Sequence, residues 1–401
     1  MILVGDWATG NKKAVCGLTT GLVLANLESP IVPHGREVAP VPKSGPSLLS
    51  TTLPAGDVTF VFSLANNHIM DYGLPGLEGT MDLLRQKCFP ACGAGENFAK
   101  ARLPVVVQDG GVRLGIIACC EAQFGIARRN YAGVAELGPW VYSAVRDLRK
   151  NTDAVIVSVH AAVEDSPWPS PYIRELYHSF IDAGASVVHG HHAHIPQGYE
   201  AYGNGVIFYG MGNFAIDPDR WRDYPNGMWS LAAEIDFRSD SVCWRPLTLE
   251  IRHQRGSDTI VIEESNGEEQ SSHRRYLEAC NGPFDNPELF DALWQEVALR
   301  VYFHHGAAQM RFSASPQSGR RLQARVGLSI LKSAVLNRIE PSRPRQCDYL
   351  LWYNMVNCES HRQMLRTALG VLGGEIKDMR SDETRRIADE MLPWSRGVVL
   401  K

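Results

Sequence analysis

Residues 187–197 read VVHGHHAHIPQ, a short apolar run that ends in four histidines within six residues. Five other apolar runs end in a similar way, each in residues that can bind a metal or a phosphoryl oxygen. These endings are Asp6, Asn26 with Glu28, Asn67 with His68, His160, and Asn213. In an open α/β sheet the ligand crevice lies at the carboxyl ends of the strands, so all six endings are expected to meet at one site.

The composition is that of an ordinary globular protein. Its 401 residues, 44% of them hydrophobic, are enough for two domains and a large core. The formal net charge of −4 offers no basic field, so no nucleic-acid partner is expected. No apolar run approaches the roughly 18 residues of a membrane helix, and the N-terminus lacks the features of a secretory signal. We therefore expect a cytoplasmic chain without a transmembrane segment.

Strand-like runs and helical periods alternate up to about residue 252. Strands are predicted near 2–5, 21–25, 58–64, 104–108, 113–119, 154–159, 186–189, 206–209 and 230–237. Helical periods occupy 74–87 and 172–183. This alternation predicts an α/β domain over residues 1–252 with a largely buried central sheet.

The pattern changes beyond this domain. Residues 253–270 are polar and acidic with two glycines, which predicts a linker, although an exposed hairpin fits the same composition. Residues 271–401 are expected to form a mainly helical C-terminal domain. Its predicted helices are 287–303, 322–339, 360–372 and 382–392. The excess of arginine in 311–345 fits either a solvated helical face or a surface for an anionic substrate or partner.

The histidine run is hard to explain by packing, because neutral imidazoles without partners are costly to bury. Histidine is also the commonest side-chain ligand of metals. Residues two apart in an extended segment face the same side, so the run predicts a pair of ligands. That pair is His192 with His194 or, alternatively, His189 with His191.

The other endings supply oxygen donors and one more imidazole. Asn67 carries a neutral amide oxygen, and His68 could act as an acid or stabilise charge beside a substrate. A strand-to-helix turn explains the same two residues without any function. Asp6 and Glu28 are hard carboxylate donors that could bridge two ions or simply cap a turn. His160, alone at its strand end, could equally be a hydrogen-bonding residue.

Taken together, carboxylate, amide and imidazole groups from separate strands form the ligand set of a dinuclear hydrolytic site. In such sites two ions about 3.5 to 4 Å apart clamp an in-line displacement. A structural zinc site would instead favour closely spaced cysteines, and none of the nine cysteines has that company.

In this order the motifs resemble those of the CapA-type poly-γ-glutamate capsule biosynthesis proteins, a family similar to the calcineurin-like metallophosphoesterases. The matching residues are Gly5-Asp6, Asn26-Leu27-Glu28, Ala65-Asn66-Asn67-His68 with Asp71 and Gly73, His160 with Glu164, His192-Ala193-His194 with Gln197 and Glu200, and Tyr209-Gly210-Met211-Gly212-Asn213-Phe214. The resemblance covers about residues 1–250. It implies a metallophosphoesterase-like α/β/β/α sandwich, here followed by the mainly helical C-terminal region.

The resemblance also implies roles for single residues. The implied metal ligands are Asp6, Glu28 as the bridging carboxylate, Asn67, His160, His192 and His194. The expected catalytic residues are His68 and Asn67, with His68 beside the substrate. The expected substrate contacts are Asn66, Asp71, Glu164, His191, Gln197 and Asn213. Phosphoesterases usually carry a histidine two residues after the first aspartate, but Ala8 stands there, so one or two divalent ions (Mn, Fe or Zn) are expected.

Two functions fit these observations. The first is metal-dependent, phosphoesterase-like hydrolysis by a metal-bound hydroxide, related to capsule or poly-γ-glutamate biosynthesis. The alternative is a capsule or exopolysaccharide assembly factor that binds an anionic polymer with little hydrolytic activity, which Ala8 favours. The expected partner is an anionic or phosphorylated substrate or polymer, and the sequence is compatible with a homo-oligomer.

Overall fold

The computed structural model describes residues 1–18, 21–33, 38–43, 45–55, 58–238, 241–306 and 346–395. In chain order the strands are β1 (Ile2–Ala8), β2 (Lys13–Cys16), β3 (Leu22–Leu27), β4 (Thr59–Ser63), β5 (Ala91–Cys92), β6 (Ala94–Gly95), β7 (Val105–Asp109), β8 (Val112–Cys120), β9 (Gly133–Val134), β10 (Ala154–His160), β11 (Val187–His191), β12 (Tyr199–Tyr202), β13 (Gly205–Phe208), β14 (Asn213–Ile216), β15 (Trp229–Phe237), β16 (Val242–Arg252) and β17 (Thr259–Glu264). The helices are α1 (Gly73–Gln86), α2 (Phe98–Ala101), α3 (Trp140–Arg149), α4 (Pro171–Asp182), α5 (Pro218–Trp221), α6 (Gly267–Asn281), α7 (Pro287–Val301), α8 (Gln346–Asn357), α9 (Glu359–Gly373) and α10 (Asp382–Met391).

Most strands belong to two large sheets. A nine-stranded sheet has the order β2-β17-β16-β15-β1-β3-β4-β5, with β14 also paired to β1. A six-stranded sheet has the order β12-β13-β11-β10-β8-β7, and β6 pairs with β9 separately. The strands β1, β3 and β4 run parallel, as do β8, β10, β11 and β13. Their carboxyl ends therefore point to one edge within each sheet.

The alternation of side chains along β10 explains how the layers stack. Ile156 packs into a core cluster that also contains Leu3 and Phe62 of the nine-stranded sheet. Val155 and Val157 point the other way, into a second cluster shared with helices α3, α4 and α7. Because successive strand residues face opposite sides, one sheet face meets the other sheet and its reverse face meets helices. The predicted α/β/β/α sandwich is confirmed.

The predicted linker at 253–270 is not a linker. Strand β17 lies inside this segment, pairs antiparallel with β16 and parallel with β2, and α6 begins at Gly267. The hairpin alternative was therefore the better interpretation. Ile260 and Ile262 alternate with exposed or half-buried residues and are themselves buried, so the polar composition reflected only the outer face of a strand that lies between β16 and the edge strand β2.

The C-terminal region is helical, as predicted, but its described helices share a core with the six-stranded sheet. Leu293 of α7, Met364 of α9 and Ala388 of α10 belong to the same buried cluster as Val157. The predicted helix at 322–339 and the arginine-rich segment 311–345 lie outside the described residues. Within the described ranges, no helix combines the length and the apolar character needed to cross a bilayer.

Candidate metal centre

The parallel strands place the sequence-predicted residues at adjoining strand ends. Asp6 on β1 lies opposite Asn26 on β3, and Asn26 Nδ2 donates to Asp6 Oδ1 at 2.8 Å. In the other sheet His160 on β10 lies opposite His191 on β11. Asn26 Nδ2 is also 3.3 Å from His160 Nδ1, so the edges of the two sheets meet here.

Glu28, just after β3, lies at the centre of this meeting point. Its Oε1 is 3.4 Å from Nε2 of His160, while its Oε2 is 3.7 Å from Nδ1 of His194. The two carboxylate oxygens thus face different histidines. This is the arrangement expected of a carboxylate that bridges two cations.

The remaining predicted ligands divide between the two sides of Glu28. On one side Asn67 Oδ1 is 3.0 Å from His160 Nε2, and the ring of His192 lies 4.5 Å from that of His160, centroid to centroid. On the other side Asp6 Oδ2 is 3.7 Å from His194 Nδ1. All six predicted metal ligands are therefore brought together by the fold.

Buried polar atoms without partners show that these residues fit a cation. Within the described ranges, both carboxylate oxygens of Glu28, Oδ2 of Asp6 and Nδ1 of His192 are buried and accept or donate no hydrogen bond. Ligand atoms of Glu28, His192 and His194 lie within 4.8 Å of one another. Such a set is costly to bury uncompensated and suits a divalent ion.

Burial shifts the protonation equilibria of the predicted ligands in different directions. Burial and the nearby charge of Asp6 raise the pKa of Glu28 well above its usual value. Burial lowers the pKa of His192 to about 3, and burial together with His192 lowers the pKa of His160. These two imidazoles are therefore neutral at pH 7, which is the form that binds metals.

Backbone conformation, and not strand alternation, brings His192 and His194 together. Strand β11 ends at His191, and His192 and His194 have φ angles of 91° and 59°. Non-glycine residues rarely adopt this left-handed region, and such strain concentrates at functional sites. The strand argument instead describes His189 and His191, whose rings are 4.0 Å apart. Strand alternation is therefore not the reason that His192 and His194 approach each other.

Five of the six residues expected to contact substrate are buried and bind protein groups instead. Asn66 Nδ2 donates to Leu27 O and to Asn26 Oδ1, while its Oδ1 accepts from the backbone of the following turn. Gln197 donates to Ser166 O. Asn213 joins Gly227 O to the imidazole of His194, 3.2 Å away. These three side chains hold loops and ligands in place, and their expected contact with substrate stays a prediction.

His191 and Asp71 are buried as well. His191 Nδ1 is 3.0 Å from Asp6 Oδ1, and its Nε2 is 3.1 Å from His189 Nδ1. Asp71 contacts His68, as described next. Of the expected substrate contacts, Glu164 is the one with a largely exposed side chain, 58% accessible and 4.0 Å from His192 Nε2.

His68 forms a compact group with Asp71 and Lys43. Asp71 Oδ2 is 2.7 Å from His68 Nδ1, and Lys43 Nζ donates to Asp71 Oδ1 at 2.6 Å. Lys43 Nζ is also 3.0 Å from His68 Nδ1. When Nδ1 donates to the ionised Asp71 carboxylate, which only accepts, Nε2 of the neutral ring is unprotonated. Burial and the charge of Lys43 lower the pKa of His68 to about 4. The positive charge beside the centre therefore belongs to Lys43, a residue that the sequence pattern did not identify.

Two further residues were missed at the end of β8. Gln123 has its amide nitrogen 2.8 Å from His192 Nε2. Glu121 is buried; its Oε1 accepts from the backbone and hydroxyl of Ser360, and its Oε2 accepts from the thiol of Cys358. The apolar run 113–119 ends here as the other six do, so the same strand-end argument could have found both residues. Lys43 carries no comparable signal, because it lies in an irregular proline-containing loop.

The carboxyl of Glu121 predicts a pH-dependent stability. Burial raises its pKa from 4.5 to about 7, against the opposing hydrogen bonds from Ser360 and Cys358. Between these values the folded chain holds a proton that the unfolded chain has released, so this contribution to stability is complete below pH 4.5 and lost as pH rises through about 7. Glu121→Gln keeps the shape of the neutral carboxyl. It is expected to remove roughly 2 to 3 kcal/mol from the pH-dependent change in the free energy of unfolding. Urea unfolding of metal-free protein at several pH values from 5 to 8 measures this change. An unfolding free energy that depends equally on pH in wild type and variant would contradict the prediction.

A comparison with known families bears on the same residues. The family model described as bacterial capsule synthesis protein PGA_cap matches residues 13–218, just over half of the chain. The chain belongs to the PGA_cap family. The PGA_cap match contains Glu28, Asn67, His160, His192 and His194, whereas Asp6 and helices α6 to α10 lie outside it.

Individual relatives agree with membership of the PGA_cap family. The chain is 35% identical over 164 residues to the capsule biosynthesis protein CapA of Bacillus anthracis, covering 39% of this chain and 40% of that one. It is 31% identical over 166 residues to the PGA biosynthesis protein CapA of Bacillus subtilis, covering 40% and 44%. The matched region thus spans less than half the length of these relatives. A crystal structure of a novel phosphatase from Mycoplasma pneumoniae aligns at 13% identity and a TM-score of 0.37 over 62% of this chain and 92% of that one, too distant a likeness for any inference about activity.

Ala8 is the point at which this PGA_cap chain departs from the usual phosphoesterase ligands. It lies on β1, is buried, and offers no ligand atom to the side of the centre that contains Asp6 and His194. The side that contains Asn67, His160 and His192 has its full predicted set. The side that contains Asn67, His160 and His192 therefore offers one predicted ligand more than the side that contains Asp6 and His194.

Proposed function

We propose that the chain is a metal-dependent, phosphoesterase-like hydrolase that acts in the biosynthesis or processing of an anionic capsule polymer such as poly-γ-glutamate. The observation that carries the proposal is the position of Glu28, whose two buried oxygens face His160 on one side and His194 on the other. Membership of the PGA_cap family supports the connection to capsule biosynthesis.

The proposed ligands are Asn67, His160 and His192 on one side of Glu28, and Asp6 and His194 on the other. Divalent ions bound there would supply Lewis-acid activation of water and of a phosphoryl oxygen. Asn26 orients Asp6, and Gln123 orients His192 through their hydrogen bonds. Such supporting hydrogen bonds fix the direction of the ligand atoms.

The protein groups beside the ligands complete the proposed chemistry. Asp71 holds His68 so that the unprotonated Nε2 remains available, and no described residue occupies that atom with a hydrogen bond. A neutral imidazole so placed can accept a proton from water or from a substrate hydroxyl. Lys43 supplies the positive charge next to it and so favours the approach of an anionic substrate.

Metal analysis combined with an activity screen tests this function. Purified protein is expected to contain one or two equivalents of Mn, Fe or Zn, to hydrolyse phosphomonoesters or phosphodiesters, and to lose activity on chelation. His192→Asn is expected to lower metal affinity at least about 10-fold, because it removes a ligand and its neighbour Gln123 loses its partner. His253→Asn is the matched control, since His253 contacts Arg222 away from the centre. A protein without stoichiometric metal, or with unchanged turnover in His192→Asn, would refute the proposal.

The absent ligand at Ala8 favours a second candidate function. With fewer ligands on the Asp6 side, the centre could hold an anionic polymer during capsule assembly while hydrolysing it poorly. This candidate differs from the first in one measurable respect. It predicts polymer binding that depends on bound metal, together with no turnover of either class of phosphate ester.

A further inference from the structure

A cleft of about 300 Å³ opens beside the predicted catalytic residues. Asn67 and Lys43 line its inner end, next to the metal centre. Most of its remaining surface is apolar and includes Phe124, Leu350 and Tyr353. This volume is at the lower limit of pockets that bind small molecules, so the cleft accommodates a group the size of one monomer.

One wall of the cleft comes from a distant part of the chain. Leu350 and Tyr353 lie on α8, well beyond the residues that match the PGA_cap family. The remaining walls come from the catalytic sheet and its loops. Tyr353 is 42% exposed, so its ring is accessible from the cleft. Tyr349 lies one turn earlier on α8, is 63% exposed, and does not line the cleft.

Glu121 fixes this wall relative to the metal centre. Cys358, between α8 and α9, donates its thiol to Glu121 Oε2 at 3.1 Å. Ser360, in the first turn of α9, donates its backbone N–H at 3.1 Å and its hydroxyl at 2.7 Å to Glu121 Oε1. Glu121 is two residues before Gln123, which contacts both the cleft and His192. The wall and the centre are therefore joined through one buried carboxyl.

The two basic residues that line the cleft differ in whether a carboxylate neutralises them. Lys43 is paired with Asp71, and its ammonium lies 5.3 Å from the ring centre of Phe124. Arg128 lines the cleft near the surface, and its guanidinium makes no ion pair with any carboxylate in the part of the chain that the structure describes. An exposed guanidinium beside an apolar wall is suited to a carboxylate or phosphate at the far end of a bound molecule.

We propose that this cleft binds the non-reacting part of the substrate, and that the substrate is a small organic phosphate with an apolar or aromatic group and a second anionic group. The apolar group packs against Phe124, Leu350 and Tyr353, and the second anion pairs with Arg128. Residues of α8 then determine specificity, while the predicted ligands perform the chemistry. This inference rests on the proposed phosphoesterase function in one respect, namely that the reacting group of the substrate is a phosphate.

Binding and turnover by the full-length, metal-containing protein test the role of Tyr353. Phenylphosphonate, which is not hydrolysed, measures binding by calorimetry, and phenyl phosphate and methyl phosphate measure kcat/KM. Tyr353→Ala is expected to weaken phenylphosphonate binding and to lower kcat/KM for phenyl phosphate by about 10-fold. It is expected to change kcat/KM for methyl phosphate by less than about 2-fold. Tyr349→Ala, on the same helix, is expected to leave all three quantities unchanged.

Arg128 is tested with a matched pair of ligands and variants. Wild type is expected to bind 4-carboxyphenylphosphonate more tightly than phenylphosphonate, and Arg128→Gln is expected to lose that preference. Arg129→Gln, the neighbouring exposed arginine outside the cleft, is expected to keep it.

The possible results separate this inference from the proposed function. An active enzyme in which Tyr353→Ala and Tyr349→Ala behave alike overturns the inference and leaves the phosphoesterase function intact. Phenylphosphonate binding that depends on Tyr353 in a protein without any turnover supports the inference and overturns the phosphoesterase function.

Discussion

Glu28→Gln is expected to abolish most of the stabilisation that a divalent metal gives to the folded protein. Glu28 faces both halves of the predicted ligand set, so its loss weakens both. We expect metal affinity to fall at least about 100-fold. At a metal concentration 100 times the wild-type dissociation constant, wild type then gains about 2.7 kcal/mol in unfolding free energy and the variant about 0.4 kcal/mol. Thermal unfolding with and without added Mn or Zn measures the difference.

In the metal-free protein, the same substitution is expected not to lower the free energy of unfolding. Both oxygens of Glu28 are buried without hydrogen-bond partners in the described structure, so a neutral amide of the same shape is no less stable there. Glu121→Gln is the matched control, because it also neutralises a buried carboxyl but lies outside the predicted ligands. A Glu28→Gln protein that binds metal with wild-type affinity and stoichiometry would disprove the bridging role.

His68→Asn is expected to lower kcat by roughly 100-fold to 10,000-fold while metal content stays the same. His68 takes no part in the predicted ligand set, and its Nδ1 is already engaged by Asp71. The effect therefore reflects proton transfer or positioning beside the substrate. Steady-state kinetics on a phosphate ester, together with metal analysis of the same preparation, separates this effect from loss of the ion.

Two further variants serve as comparisons for His68→Asn. Asp71→Asn leaves the imidazole in place but weakens the contact that sets its tautomer, so a smaller fall in kcat is expected. Tyr72→Phe, in the same turn, removes a hydroxyl that makes no hydrogen bond with the described residues and should leave kcat unchanged. If kcat in His68→Asn stays within about threefold of wild type, His68 has no catalytic role.

The sequence predicted the fold best where the hydrophobic period was long and undisturbed. Strands such as β10 and helices such as α4 appear within two residues of their expected bounds. Strand β16 and helix α6 were missed, and β17 was anticipated only by the hairpin alternative, because polar side chains on their exposed sides obscure the hydrophobic period. Propensity alone could not show that the C-terminal helices share a core with the six-stranded sheet, because that depends on contacts between distant residues.

The sequence predicted which residues meet at the candidate site, whereas their roles stay predictions. All the proposed ligands converge, because parallel strands align their carboxyl ends. The expected substrate contacts stay a prediction, and a motif does not reveal which polar side chain points inward. Asn66 and His191 are of this kind: both are buried and bind protein atoms. Lys43 could be found only once the loop that carries it was folded against Asp71.

The long sequence separation between Glu121 and its partners has a consequence for the order of assembly during synthesis. Cys358 and Ser360 follow Glu121 by 237 and 239 residues. At about 5 to 20 residues per second, a ribosome needs on the order of 10 to 50 s to add them. Every predicted ligand, the last being His194, has been synthesised before α8 exists. In a newly made chain the strand ends that carry the proposed ligands are therefore complete while the α8 wall of the cleft is still missing.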